Sequence, residues 1–222
     1  MKRILVACEE SQAVCTAFRN KGFEAYSCDI IECSGGHPEW HIRQDVIPLL
    51  DGHCAFTTDD GQMHSIPDKW DLIIAHPPCT YLCSAGQPWT NIERYGEKAL
   101  ERLSKREEAI DFFLQFINAD CDHIAVENPV GIMSKRYRKP DQYIQPYEFG
   151  HPTAKKTGLW LKGLPKLVPT EIVTPVTSYA WDNIRDENGK ILAWNSDEIK
   201  KVRSKTFKGI AEAIADQWGG VI

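Results

Sequence analysis

The 222-residue chain contains no apolar run long enough to cross a membrane, which excludes a helical span. No export-type leader is expected: after Met1-Lys2-Arg3 the apolar stretch runs for only about five residues before Glu9-Glu10, and reads as a first strand. It has no internal repeat and no low-complexity tract, so a solenoid or a polar tail is not expected. It lacks an excess of one charge: 26 Lys and Arg stand against 31 Asp and Glu, for a net charge of −5. That balance neither points to nucleic acid nor excludes it, because a local basic surface is what matters there. Its eight cysteines lack the spacing of a disulfide framework, and several fall inside expected strands and helices. Without an export signal, they are expected to be reduced thiols in a cytoplasmic protein.

What is present is ordered around residues 70–86, WDLIIAHPPCTYLCSAG. Residues 71–75 form a short run rich in β-branched side chains, the pattern of a buried parallel strand. His76-Pro77-Pro78-Cys79 ends it abruptly, since two prolines donate no hydrogen bonds and fix φ. A cysteine held stiffly beyond the carboxyl end of a strand sits where α/β sheets bind ligands, although free cysteine is also among the most commonly buried residues.

The flanking chain alternates strand and helix. Residues 3–8 read as a strand, 12–21 as a helix capped by Ser11 and ended by Gly22, and 23–28 as a second strand. A glycine- and proline-containing loop spans 32–40, a short third strand 42–46, and an irregular polar stretch 51–68. A long helix is expected over 91–118, strands over 122–126 and 157–161, and a last helix over 206–218. Residues 181–194 hold an expected hairpin with its turn at Glu187-Asn188-Gly189. The expected fold is therefore α/β: a Rossmann-like parallel sheet with helices on both faces.

Acidic residues follow the first three strands in turn: Glu9-Glu10, Asp29 and Asp45. Such acceptors suit a nucleoside-containing cofactor, with the carboxylate after the second strand placed for a ribose diol; carboxylates at strand ends also serve as plain helix caps. Glu127 ends an apolar strand and Pro129 stiffens its exit. Strand ends of one sheet project to one edge, so Glu127 and Cys79 are expected to share a pocket. A thiolate beside a carboxylic acid suits attack on a conjugated ring while the acid protonates it. Free cysteine is only slightly ionised at neutral pH, and Lys155 or Lys156 would raise that fraction. Two basic clusters, around Lys135 to Lys139 with Lys155-Lys156 and around Lys200 to Lys208, are either binding surfaces or solvated faces.

Pro77-Pro78-Cys79 with Ser84-Ala85-Gly86, followed by Glu127-Asn128-Pro129, resembles the catalytic motifs of DNA cytosine carbon-5 methyltransferases, in the same order and at similar spacing. The pattern is also similar to that of short methyltransferase-like proteins of phages and prophages. The resemblance implies a Rossmann-like S-adenosylmethionine-dependent enzyme acting on DNA, in which Cys79 attacks carbon-6 of cytosine and Glu127 binds the ring nitrogen and exocyclic amine. It implies cofactor contacts from Cys8, Glu9, Asp29, Ile30, Asp45 and Pro77, and substrate contacts from Pro78, Ser84, Asn128, Lys155 and Lys156. No metal is implied. Residues 1–161 and 204–222 would form the catalytic domain, with the segment after Ser204-Lys205-Thr206 completing the cofactor site. Residues 162–203 would be a small insertion carrying Trp181 and Trp194 that touches nucleic acid.

The chain departs from that family in four places. Its first loop, Ala7-Cys8-Glu9-Glu10-Ser11-Gln12, lacks the family's glycines, which let backbone approach a cofactor. Thr80 stands for the usual glutamine and Pro129 for valine. Only 162–203 is available for the large recognition domain of DNA-specific members, so single-stranded DNA, RNA or a nucleotide are also open as substrates. If duplex DNA is the substrate, the base must leave the stack.

Three other readings compete. Amino-methyltransferases of adenine or cytosine carry Asp/Asn-Pro-Pro-aromatic at this strand end, but His76 and Cys79 differ from that pattern. A degenerate, binding-only phage protein would explain the missing glycines. Cys33, His37 and His41, with Cys28 near, have a spacing seen in zinc sites, yet Pro38 interrupts any helix that would align them.

Overall fold

The structure is a computed structural model that describes residues 1–178, 191, 199 and 203–222. The expected hairpin with Trp181 and Trp194, and Lys200-Lys201, lie outside the described residues.

In chain order the strands are β1 (Arg3–Ala7), β2 (Glu24–Asp29), β3 (His41–Arg43), β4 (Cys54–Thr57), β5 (Met63–Ile66), β6 (Leu72–Ala75), β7 (Ile124–Pro129), β8 (Gln142–Ile144), β9 (Thr153–Ala154), β10 (Thr157–Lys162) and β11 (Thr177–Ser178). The helices include α1 (Ala13–Arg19), α2 (Ile92–Tyr95), α3 (Glu97–Asn118), α4 (Met133–Arg136) and a C-terminal helix (Lys208–Gly219). The main sheet runs β3-β2-β1-β6-β7-β10-β8. β1 pairs in parallel with both β2 and β6, so the chain reverses direction across the sheet between β1 and β6. That switch point is where open α/β sheets bind ligands. β10 is antiparallel to both of its neighbours, β7 and β8.

Strand periodicity sorts the core into two layers. Leu5, Ala7, Ile73 and Ala75 face one side, packing with Phe113 and Phe116 of α3. Ile4, Val6, Leu72 and Ile74 face the other, packing with Phe18 of α1 and with Ile214 and Trp218 of the C-terminal helix. Helices thus cover both faces of a Rossmann-like sheet, as expected. Full burial of a side chain such as Phe113 contributes about 1.5–3 kcal/mol.

Several boundaries differ from expectation for local reasons. The long helix breaks at Gly96, whose φ is +51°, giving α2 and α3. The polar stretch 51–68 contains a hairpin, β4–β5, because Phe56 and Ile66 bury themselves beside Trp70 and Tyr26. β8 was not expected. The third strand stops at Arg43, two residues short of Asp45. The first basic cluster is partly spent on ion pairs, Arg136 with Glu107 and Arg138 with Asp141. No described helix is long and apolar enough to cross a membrane.

Candidate active site

The loop that carries Cys79 is fixed from three sides. Cys83 N–H donates to the Cys79 carbonyl at 2.9 Å, closing one helical turn immediately after Pro78. From α3, Arg102 Nη2 donates to the Thr80 carbonyl at 2.6 Å and Arg106 Nε to that of Tyr81 at 3.3 Å. From the exit of β7, Ile132 N–H donates to Leu82 O at 2.8 Å and Val130 O accepts from Ser84 N–H at 3.0 Å. Gly131 permits that seam, because a Cβ there would collide with the Leu82 carbonyl oxygen. Asn128 completes it: buried, it donates its amide to the Pro77 carbonyl at 2.8 Å.

Cys79 lines a cleft of about 370 Å³ with Cys8, Glu9, Glu10, Asp29, His76 and Pro78. Glu127 lines a smaller adjoining cavity of about 30 Å³, enclosed by Lys155, Thr157, Phe207 and apolar side chains of the sheet and C-terminal helix. The two spaces are not one pocket, contrary to expectation, but His76, Ser204 and Thr206 line both. His76 Nδ1 lies 3.2 Å from Glu127 Oε2. Its Nε2 is buried without a hydrogen-bond partner. Burial pushes the Glu127 carboxyl up, but the His76 hydrogen bond and charge, Lys155 and the Thr157 hydroxyl together hold it below its usual value. Glu127 is therefore ionised at neutral pH.

The Cys79 thiol is pushed up by its hydrogen bond with Cys83, by burial and by the Cys83 and Glu127 charges, against the pull of Lys155. Cys83 moves the opposite way, to about 6, through the hydrogen bond from Cys79, aided by backbone N–H groups of Gly86 and Ala85 and by Arg102. The hydrogen bond between the two sulfurs thus favours the charge on Cys83, the less buried of the pair, over Cys79.

The first loop makes its turns without glycine. Cys8 and Gln12 adopt left-handed backbone, at φ +58° and +57°. Gln12 is fully buried and binds Ser27 Oγ, the His37 carbonyl and the His37 N–H, tying the 31–37 loop across the first one. Gly35 permits the contact, since a Cβ would stand 2.5 Å from that of Gln12. Glu10 Oε2 is buried in the cleft wall without a hydrogen-bond partner.

No family model matches the chain. No curated protein matches it either. Among solved structures it is similar to a protein described as a DNA modification methyltransferase encoded within an E. coli prophage, at 16% identity and a TM-score of 0.45, covering 84% of this chain and 56% of that one. It is also similar to the S. pombe Dnmt2 methyltransferase, at 15% identity and a TM-score of 0.38, covering 99% of this chain and 66% of that one. The chain thus spans less than two thirds of either.

The site residues expected from sequence divide into three groups. Cys8, Glu9, Asp29, Pro78 and Cys79 meet in the large cleft, and Glu127 and Lys155 meet in the adjoining cavity. Glu9 also accepts from the N–H groups of Val14 and Cys15 at 2.7 and 3.1 Å, taking over the cap of α1 expected from Ser11. Ile30 is 76% exposed beside Asp29 and does not line the cleft.

The remaining residues have other duties. Asp45, beyond the short β3, is exposed and accepts from Ile47 N–H at 3.1 Å. Pro77 and Asn128 bind each other. Strand alternation turns Asn128 to the face opposite Glu127, so it positions the loop. Ser84 Oγ donates to Val130 O at 2.9 Å, and the Lys156 ammonium lies 4.3 Å from the Tyr143 ring centroid; neither lines the cleft. The histidines considered for zinc have other partners: His37 stacks on Trp40 at 3.9 Å, and His41 bonds Ser27 Oγ and Ile31 O.

Sequence reading underweighted His76, Glu10 and Cys83. Each has a signal: a histidine directly before Pro-Pro, a second acid after Glu9, and a cysteine one helical turn after Cys79.

Proposed function

We propose that the chain is an S-adenosylmethionine-dependent methyltransferase that acts on carbon-5 of cytosine in nucleic acid, DNA foremost, through a covalent Cys79 adduct. The observation that carries this reading is the His76, Ser204 and Thr206 lining common to the Cys79 cleft and the Glu127 cavity. It brings a sulfur and a carboxylate to adjoining spaces beyond the strand ends, at the sheet's switch point.

The cleft suits the cofactor. Its volume lies in the range of small-molecule sites, and its carboxylates, Glu9, Glu10 and Asp29, complement a ligand that carries a sulfonium, an ammonium and a ribose diol. Asp29 would take the diol, and the unpartnered Glu10 oxygen the ammonium. When bound, S-adenosylmethionine supplies an electrophilic methyl group.

The protein's part is to activate the ring. Cys79 passes its proton to the neighbouring Cys83 sulfur as its own sulfur bonds to carbon-6, and the ring's electron pair moves toward carbon-5. Ionised Glu127 accepts from the exocyclic amine. His76, hydrogen-bonded to the same carboxylate, is the group from which it draws the proton required at the ring nitrogen. After carbon-5 is methylated, its proton leaves to water, the double bond re-forms, the ring nitrogen returns its proton through Glu127 to His76, and the expelled sulfur recovers its own from Cys83. The 30 Å³ cavity beside Glu127 has room for one water rather than a pyrimidine, so the base must widen it on entry. In this reading residues 1–161 and 204–222 form the catalytic domain and 162–203 an insertion toward nucleic acid.

The test is incubation with labelled cofactor and DNA, followed by nucleoside mass spectrometry. Label in 5-methylcytosine, abolished by Cys79→Ala, is expected. Label on an exocyclic amine, unaffected by Cys79→Ala, overturns the chemistry.

A further inference from the structure

Beside the nucleophile loop, on the outer side of α3, lies a groove of about 530 Å³. One wall is aromatic. Trp89 is 56% exposed, and the Tyr95 ring lies 5.1 Å from it, tilted by 37°. The other wall is cationic: Lys98, Arg102 and Lys105 line the groove from α3 at helical spacing. Glu101 is the one carboxylate lining it among the described residues, and Lys105 binds that at 2.6 Å. The protein as a whole carries a net charge of −5, so this surface has the opposite sign.

The groove is built into the nucleophile loop. Arg102 holds the Thr80 and Gly86 carbonyls at 2.6 and 3.2 Å, and its guanidinium lies 4.9 Å from the Tyr81 ring centroid. Gly86 makes room for that, because a Cβ there would collide with the guanidinium. The positive charge is thus held in place one residue from Cys79.

We propose that this groove holds an unpaired nucleotide of a single-stranded nucleic acid, its base against Trp89 and Tyr95 and its phosphate against Lys98 and Lys105. The inference rests on the nucleic-acid reading above and adds the strand class. Exposed Trp89, with half-buried Tyr95 beside it, offers a flat face on which any base stacks. Adjacent cations neutralise the phosphate. A base inside a duplex has both faces covered by its neighbours, so this aromatic wall favours a single strand.

The test uses the full chain and a labelled oligothymidylate of about twelve residues, within the range of single-strand site sizes. It contains no cytosine, so binding is read by fluorescence anisotropy without chemistry. Trp89→Ala is expected to weaken binding roughly tenfold, with Trp89→Phe recovering most of the loss. The pair Lys98→Glu with Lys105→Glu is expected to flatten the slope of log affinity against log salt by about 0.7 or more, for the one phosphate no longer neutralised. Circular dichroism checks that these surface variants fold. No binding by the wild type, unchanged binding by Trp89→Ala, or tighter binding of a duplex of the same length overturns the proposal. An acidic peptide that displaces the oligonucleotide only through the lysines, indifferent to Trp89, also overturns it. Trp89-dependent binding without methyl transfer to any cytosine would sink the enzymatic reading alone. Methyl transfer with wild-type binding by Trp89→Ala would sink this inference alone.

Discussion

Asn128 Nδ2 lies 2.8 Å from the Pro77 carbonyl oxygen, tying the end of β7 to the end of β6 inside the core. Its own Oδ1 has no hydrogen-bond partner. A donor is required here, since Pro77 offers only a carbonyl. Asn128→Ala is expected to lower stability by about 1–3 kcal/mol, the cost of an orphaned buried acceptor. Asn128→Asp faces that carbonyl with a carboxylate and costs more. Urea denaturation ranks the pair; an Asp variant as stable as wild type would show that this bond does not hold the loop.

Gly131 sets the distance between the same two segments. Gly131→Ala drives a methyl into the Leu82 carbonyl and is expected to cost about 1–3 kcal/mol through overpacking. The displaced loop exposes Cys79, so thiol-labelling at that position accelerates while the melting temperature drops. Labelling at the wild-type rate would show that the seam does not fix the loop.

The two sulfurs of the loop titrate oppositely. With iodoacetamide, Cys83 is expected to react first, half-maximally near pH 6. Cys83→Ala removes the leading cause of the raised Cys79 value, so the Cys79 value falls and its thiolate fraction at neutral pH rises about tenfold per unit. Peptide mass spectrometry after pulse labelling reads both rates. A Cys79 rate unchanged by Cys83→Ala would contradict the hydrogen bond between the two sulfurs as the cause.

Glu127 makes stability depend on acid. Its folded value lies below the unfolded one, so its contribution is complete above about pH 4.3, the unfolded value, and drains away as pH falls through the lower folded value. Glu127→Gln removes that slope, and urea unfolding of both proteins across the acid range should show wild type losing stability more steeply. Parallel curves would remove the ion pair with His76 from the account.

Gln12 combines left-handed backbone with a buried polar network. Both Gln12→Ala and Gln12→Gly lose its hydrogen bonds, but only alanine keeps a Cβ at φ +57°. The glycine variant is therefore expected to be more stable than the alanine variant by about 1 kcal/mol, and both less stable than wild type. Equal stabilities would mean that the backbone strain is negligible.

Much of the sheet was legible because apolar runs and their breakers are local. Residues 71–75 followed by Pro77-Pro78, and the acidic residues after β1 and β2, placed a strand end and a cleft wall before any coordinates. The hairpin β4–β5 was not legible, because its strands are half polar and held by Tyr26 and Trp70, distant in sequence. The expected cap at Ser11 failed because Glu9, two residues earlier, folds back onto the helix amides. Asn128 looked like a substrate contact because it adjoins Glu127, yet neighbouring residues in a strand face opposite ways. Lys156, in the loop between β9 and β10, turns instead toward Tyr143.

By itself the sequence determined which residues end strands and where the chain must turn, because proline, glycine and runs of apolar side chains act through the backbone nearest them. Only the tertiary structure decided which of those strand ends meet: that His76 stands between the Cys79 cleft and Glu127, that Cys79 and Cys83 hydrogen-bond to each other, and that Gln12 closes a loop made without glycine. Those outcomes depend on through-space distances and on burial, which arise only when strands far apart in the chain lie side by side.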